Sequence, residues 1–331
     1  MSDAPSPRRR IRTRSPEERV AAAGDVPVAP TRTPVRFQGK RTWVQDRPAF
    51  YGVAGEGQPV LFLHGWALGQ HTYRGVVERI ARQGSRVYAP GLPGFGGTGD
   101  LPGDSFSLVG YATWVRDFLE QVDVEEPVVV VGHSFGGGVA IRFSHAHPTL
   151  VRSLVLVNAI GGSTWQKGRT LRSITERPLW DWGLHFPGDV LPLRQASRVL
   201  PVLVEDFVPN LVRNPRAIVR VANLARRADL RIQLDELRER GMPITILWAT
   251  RDGIIPRESF EALCVAAGVE GTVVEGSHSW LLADPDQFGE VMTNVLQVAN
   301  AARELEKLSD EAAVEAPPSR VRRILRRITP G

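Results

Sequence analysis

Pro127 to Val131 sets four valines behind a proline, and Gly132-His133-Ser134-Phe135-Gly136 follows at once. A helical pattern then runs from Gly137 to His147. A run of β-branched residues reads as a strand buried on both faces. Strand, glycine-flanked turn and helix in immediate succession leave few architectures open. The chain leaves the end of the strand through a turn too tight for side chains and returns along the sheet as a helix. This is the first half of a strand–helix–strand crossover, which commits the chain to an α/β fold with a parallel sheet.

The same rhythm continues on either side. Val60–Leu63, Arg86–Ala89, Leu154–Val157, Ile244–Trp248 and Thr272–Val274 read as further short strands. Helical patterns at Tyr73–Arg82, Tyr111–Val122, Arg257–Ala267 and Asp286–Leu305 separate most of them. The expectation is a mostly parallel central sheet with helices on both faces. One stretch departs from it. From Gly161 to Arg240 no strand is predicted, and helical patterns carry Trp165, Trp180 and Trp182. This reads as an inserted helical cap over residues 161–240, between core segments 35–160 and 241–307.

Charge separates the ends from the body. Residues 1–41 hold ten Lys/Arg against four Asp/Glu, and residues 303–331 hold seven against five. The overall charge is +5, so the stretch between is slightly acidic. Residues 1–34 therefore read as a disordered basic tail. Residues 308–331 read as a flexible tail. It ends in a short segment, Val321 to Ile328, with apolar residues at helical spacing and arginines between them. That pattern fits a solvated tail as well as a peripheral contact with a membrane or partner. An acidic body without a recognition motif argues against specific nucleic-acid binding. With one cysteine, Cys264, no internal disulfide is expected. No apolar h-region follows the first arginines, and no apolar run is long enough to span a bilayer, so the expectation is a cytoplasmic protein. Nothing in the sequence speaks to the oligomeric state.

A serine hydroxyl is a weak nucleophile without a base, and the base needs a carboxylate to fix its tautomer. Ser134 sits where a strained turn would expose its hydroxyl. His278 stands alone in Gly276-Ser277-His278-Ser279, directly after strand Thr272–Val274. Asp252 follows strand Ile244–Trp248. Each has a plain alternative: an incidental serine, a surface histidine, an aspartate capping the next helix. Taken together they stand in the order that an elbow-type triad requires. The other place for an acid, after Leu154–Val157, holds Asn158. Two amides would stabilise the oxyanion, that of Phe135 and that of Trp66 in the loop His64-Gly65-Trp66 after the first core strand. His64, Trp165, Trp180 and Trp182 are candidate substrate contacts, the tryptophans being equally suited to gluing a cap onto the core. No metal-ligand spacing is present and no cofactor is required.

Four motifs, His64-Gly65-Trp66, Gly91-Leu92-Pro93-Gly94-Phe95-Gly96, Gly132 to Gly136 and Gly276-Ser277-His278, resemble those of capped members of the α/β-hydrolase superfamily. That branch holds carboxylesterases, lipases, cofactor-free haloperoxidase-like perhydrolases and C–C bond hydrolases. The likeness spans about residues 42–300 and departs at Gly91, where the family usually has an aspartate. It implies an α/β-hydrolase fold and a serine hydrolase, read as cleaving carboxylic esters, small-molecule or lipid-like; the aromatic cap and Trp66 suggest a substrate with an apolar moiety. C–C hydrolysis and perhydrolysis use the same triad and stay open. Epoxide hydrolases and haloalkane dehalogenases are set aside, because they place an aspartate where Ser134 stands. The reading from another class is a catalytically silent scaffold of the same fold that binds a partner or a membrane surface.

Overall fold

The computed structural model describes residues 35–167, 170–173 and 204–297. The expected tails at 1–34 and 308–331 lie outside these residues, as do Trp180 and Trp182. The sheet has eight strands: β1 (Gln38–Val44), β2 (Arg47–Ala54), β3 (Gln58–Leu63), β4 (Ser85–Pro90), β5 (Val128–His133), β6 (Val151–Val157), β9 (Ile244–Ala249) and β10 (Thr272–Val274). Their order across the sheet is β1-β2-β4-β3-β5-β6-β9-β10. Only β2 runs against the others, pairing antiparallel with both β1 and β4. The remaining pairings are parallel.

Continuous apolar runs make sense in this sheet because both faces are covered. Alternate residues of one strand go to opposite cores. Leu61, Leu63, Val128, Val130, Leu154 and Leu156 join one cluster. Val60, Phe62, Val129, Val131, Val155 and Val157 join the other. The first cluster is closed by helices α2 (Leu108–Gln121), α3 (Phe135–Ala146) and α7 (Arg257–Ala267). The second is closed by α1 (Arg74–Ala81) and by the helix at residues 285–297. Full burial of each such side chain contributes about 1.5–3 kcal/mol.

Two features differ from the sequence expectation. The β1–β2 hairpin was not anticipated. Its strands meet through Gln45 and Asp46, both at positive φ (51° and 59°), without the glycine that normally marks such a turn. Within 161–240, a segment expected to be free of strands, β7 (Thr164–Lys167) pairs antiparallel with β8 (Thr170–Ser173). Trp165 lies on β7 opposite Arg172. The described helices of that segment are α4 (residues 204–213), α5 (Pro215–Arg226) and α6 (Arg231–Glu239).

Candidate active site

Ser134 occupies the turn between β5 and α3 at φ 53° and ψ −118°, a conformation non-glycine residues rarely adopt. Three hydrogen bonds hold it there. Its amide donates to the Val157 carbonyl at 3.0 Å, and its carbonyl accepts from Gly137 at 3.0 Å and Ile160 at 3.2 Å. The flanking glycines are steric necessities. A Cβ on Gly132 would come within 2.6 Å of Gly137 Cα, and one on Gly136 would lie against the Leu63 carbonyl.

The loops after β9 and β10 bring Asp252 and His278 together. The His278 Nδ1–H donates to Asp252 Oδ2 at 2.8 Å, with the histidine side chain 7% exposed and the aspartate side chain 0%. Asp252 is surrounded by donors. Its Oδ1 accepts from the amides of Ile254 and Ile255, both at 2.8 Å. Its Oδ2 also accepts from Asn158 Nδ2 at 2.5 Å. Asn158 is fixed in turn, since its Oδ1 accepts from Trp280 Nε1 at 2.9 Å. Four donors satisfy this buried carboxyl group and fix its aim.

Ser134 and His278 face one small cavity of about 40 Å³, walled also by Gly65, Trp66, Leu68, Phe135, Ile160, Ala225, Ile254 and Ile255. Among the hydrogen bonds of the described residues, none between backbone groups engages the amide of Trp66 or Phe135. The Trp66 ring is tethered to α5, its Nε1 donating to the Ile218 carbonyl at 2.8 Å.

His64 is not a cavity residue, contrary to the sequence expectation. It is 1% exposed. Its Nε2 accepts from the Leu92 amide at 2.7 Å, which leaves Nδ1–H to donate to the Gly65 carbonyl at 2.8 Å. Burial pulls its pKa down to about 4. The imidazole therefore staples the Gly65 loop to the loop after β4 as a neutral group. The glycine at position 91 also finds its reason here. A Cβ there would meet Gln70 Oε1 at 2.6 Å, and Gln70 itself bonds the Gly96 carbonyl at 3.1 Å.

Sequence reasoning missed a buried chain of hydrogen bonds beneath the site. The Gly65 amide donates to the Tyr73 hydroxyl at 3.1 Å, and that hydroxyl is 2.8 Å from His133 Nδ1. His133 Nε2 is 3.0 Å from the His278 carbonyl, which can only accept. The proton is thus on Nε2, and Tyr73 donates to Nδ1. Burial, then repulsion from His278, keeps the His133 pKa well below the usual histidine range, so the ring is neutral. The histidine inside the elbow sequence was the only available signal, and nothing in the sequence points it at Tyr73 or at the His278 loop. Asn158 was legible only as a position lacking a carboxylate.

A family model described as "Alpha/beta hydrolase family" matches residues 60–291. An uncharacterized protein of Mycobacterium tuberculosis is 29% identical over 288 residues, covering 80% of this chain and 82% of that protein. Among solved structures, an esterase from Exiguobacterium antarcticum superposes with a TM-score of 0.63 at 20% identity, covering 78% of this chain and 100% of its own. A bromoperoxidase from Bacillus anthracis does so with the same TM-score of 0.63 at 17% identity, over 78% and 100% of the two chains.

Proposed function

This chain belongs to the alpha/beta hydrolase family, and from that premise we propose that it is a serine hydrolase cleaving carboxylic esters through Ser134, His278 and Asp252. The observation that carries the reading is the buried His278–Asp252 pair, whose histidine shares a cavity with a serine held at φ 53°. A scaffold gains nothing from that strain. Ser134 Oγ attacks the ester carbonyl while His278 Nε2 takes its proton, and Asp252 stabilises the imidazolium. The amides of Trp66 and Phe135 receive the oxyanion, each worth about 3–4 kcal/mol of barrier. His278 returns the proton to the leaving alcohol, and water then releases the acid from Ser134. The lining supplied by Leu68, Ile160, Ile254 and Ile255 supports a substrate with an apolar moiety. The helices of 161–240 serve as the cap above it.

A fluorophosphonate probe tests the assignment. The expected result is labelling at Ser134 together with turnover of p-nitrophenyl esters, both lost in Ser134→Ala. Turnover that survives this substitution, or its absence in the parent across an ester panel, defeats the reading. A steady preference for acetate over longer acyl groups would remove the apolar part. The esterase and the bromoperoxidase neighbours superpose equally well, so peroxide must be tried as the acyl acceptor. If hydrogen peroxide converts the product from acid to peracid, perhydrolysis is the better description.

A further inference from the structure

Helix α4, residues 204–213, is turned inside out. Asp206 and Asn210, one turn apart and each 6% exposed, face the body of the protein. Asp206 Oδ2 accepts from the Thr72 amide at 2.8 Å and from the Thr72 hydroxyl at 2.6 Å. Asn210 donates to the Ala67 carbonyl at 2.9 Å and accepts from the Gly96 amide at 3.1 Å. The apolar residues take the other side. Val204 (50% exposed), Val208 (45%), Leu211 (43%) and Val212 (74%) follow the i, i+4, i+7, i+8 spacing of one helical face, and Val219 (56%) continues it onto α5. Of ten large hydrophobic residues exposed among those described, five fall in this short stretch. A helix of a water-facing surface normally has the opposite polarity, and a concentrated apolar patch marks an interaction.

Arginines accompany the patch along the sequence, one of them, Arg220, with its guanidinium over the Phe106 ring at 3.8 Å. Arg213, Arg216, Arg220 and Arg227 are all exposed. The carboxylate that α4 turns outward, Glu205, is engaged by Arg74 at 2.7 Å. We propose that the outer face of α4 and α5 docks onto an anionic lipid surface, its valines and leucine entering the acyl boundary and its arginines meeting headgroup phosphates. A second copy of the chain fits less well. A two-fold contact would bring the same arginine-rich face onto itself. Among the described residues the patch also carries no aromatic side chain of the kind that anchors protein interfaces, and valine and leucine are under-represented among interface hot spots. The docking helix walls the cavity as well, since α5 supplies Ala225 to it and the Ile218 carbonyl to Trp66. A molecule leaving the lipid would reach the site along one helix.

The test is vesicle flotation of the full chain, with phosphatidylglycerol-containing and pure phosphatidylcholine vesicles. The parent is compared with the double variant V208E/V212E and with V265E, a change at an exposed valine (82%) on α7. Melting temperatures report folding without assuming any activity. If the double variant melts early, V219E alone replaces it. The expected result is flotation of the parent and V265E with anionic vesicles, and about a tenfold or greater loss in V208E/V212E. Both basic terminal segments remain in every variant, so binding that persists undiminished in V208E/V212E belongs to them and overturns the proposal. It is equally overturned if the parent does not float, or if light scattering finds a dimer that V208E/V212E dissociates.

Discussion

Two carboxylates are buried among the described residues, and they do opposite things. Asp252 divides four hydrogen bonds between its oxygens, and one donor is an imidazole. Asp206 gathers the amide and hydroxyl of a single threonine, neither of which titrates near neutral pH. In the proposed reaction the first arrangement aims a proton acceptor at a cavity. The second pins an inserted helix to the loop beside that cavity. Burial is common to both carboxyl groups, so burial alone does not nominate a reactive centre; the kind of partner does.

The comparison breaks most sharply through paired substitutions. Asp252→Asn should lower kcat on a p-nitrophenyl ester by about 10⁴, because the amide favours the wrong imidazole tautomer. Asp206→Ala should leave kcat within a few-fold. It should cost about 1–3 kcal/mol of stability by removing the two hydrogen bonds that Thr72 donates to it, read by thermal or denaturant unfolding. If Asp206→Ala were as inactive as Asp252→Asn, the division of labour would be wrong. Next in size is Asn158→Ala, which frees Asp252 Oδ2 from one of its anchors. A loss of about ten- to a hundredfold in kcat with KM little changed is expected, since small misplacements of reacting groups carry such penalties.

Acid should expose the neutral histidines. His64 has a pKa of about 4 when folded against 6.5 when free. Between those values the unfolded chain binds a proton that the folded chain refuses, so stability rises with pH through this window and is lost on acidification. His133, also depressed by burial, acts with the same sign. Melting temperature should therefore fall as pH drops from about 6.5 towards 4, and a flat profile would contradict neutral burial. The smallest effect belongs to Trp66→Phe, which removes the bond to the Ile218 carbonyl. About 0.5–1.5 kcal/mol of stability should go with it.

What could be read from the sequence was whatever depends on local pattern. The β-branched run before Ser134 announced both strand and elbow, because a doubly covered strand has no polar face to interrupt it. The strand-end positions of Asp252 and His278 were legible for the same reason. The β1–β2 hairpin was not, since β1 is largely exposed and its turn uses Gln45 and Asp46 where glycine would have signalled it. His64 looked like a cavity residue because its loop lines the cavity, and only the Leu92 amide explains why the ring turns away. Tyr73, His133 and Asn158 act on residues distant in sequence, and no periodicity encodes that.

Tyr73 and His133 make one body of three loops that the chain visits separately. The Gly65 proton sits in a connecting segment, yet it reaches solvent only if the tyrosine swings away. That movement strips His133 Nδ1 of its donor, on the same ring whose Nε2 donates to the carbonyl of His278. Deuterium uptake at Gly65 is therefore expected to be slow and to quicken in Tyr73→Phe, which removes the acceptor of its proton.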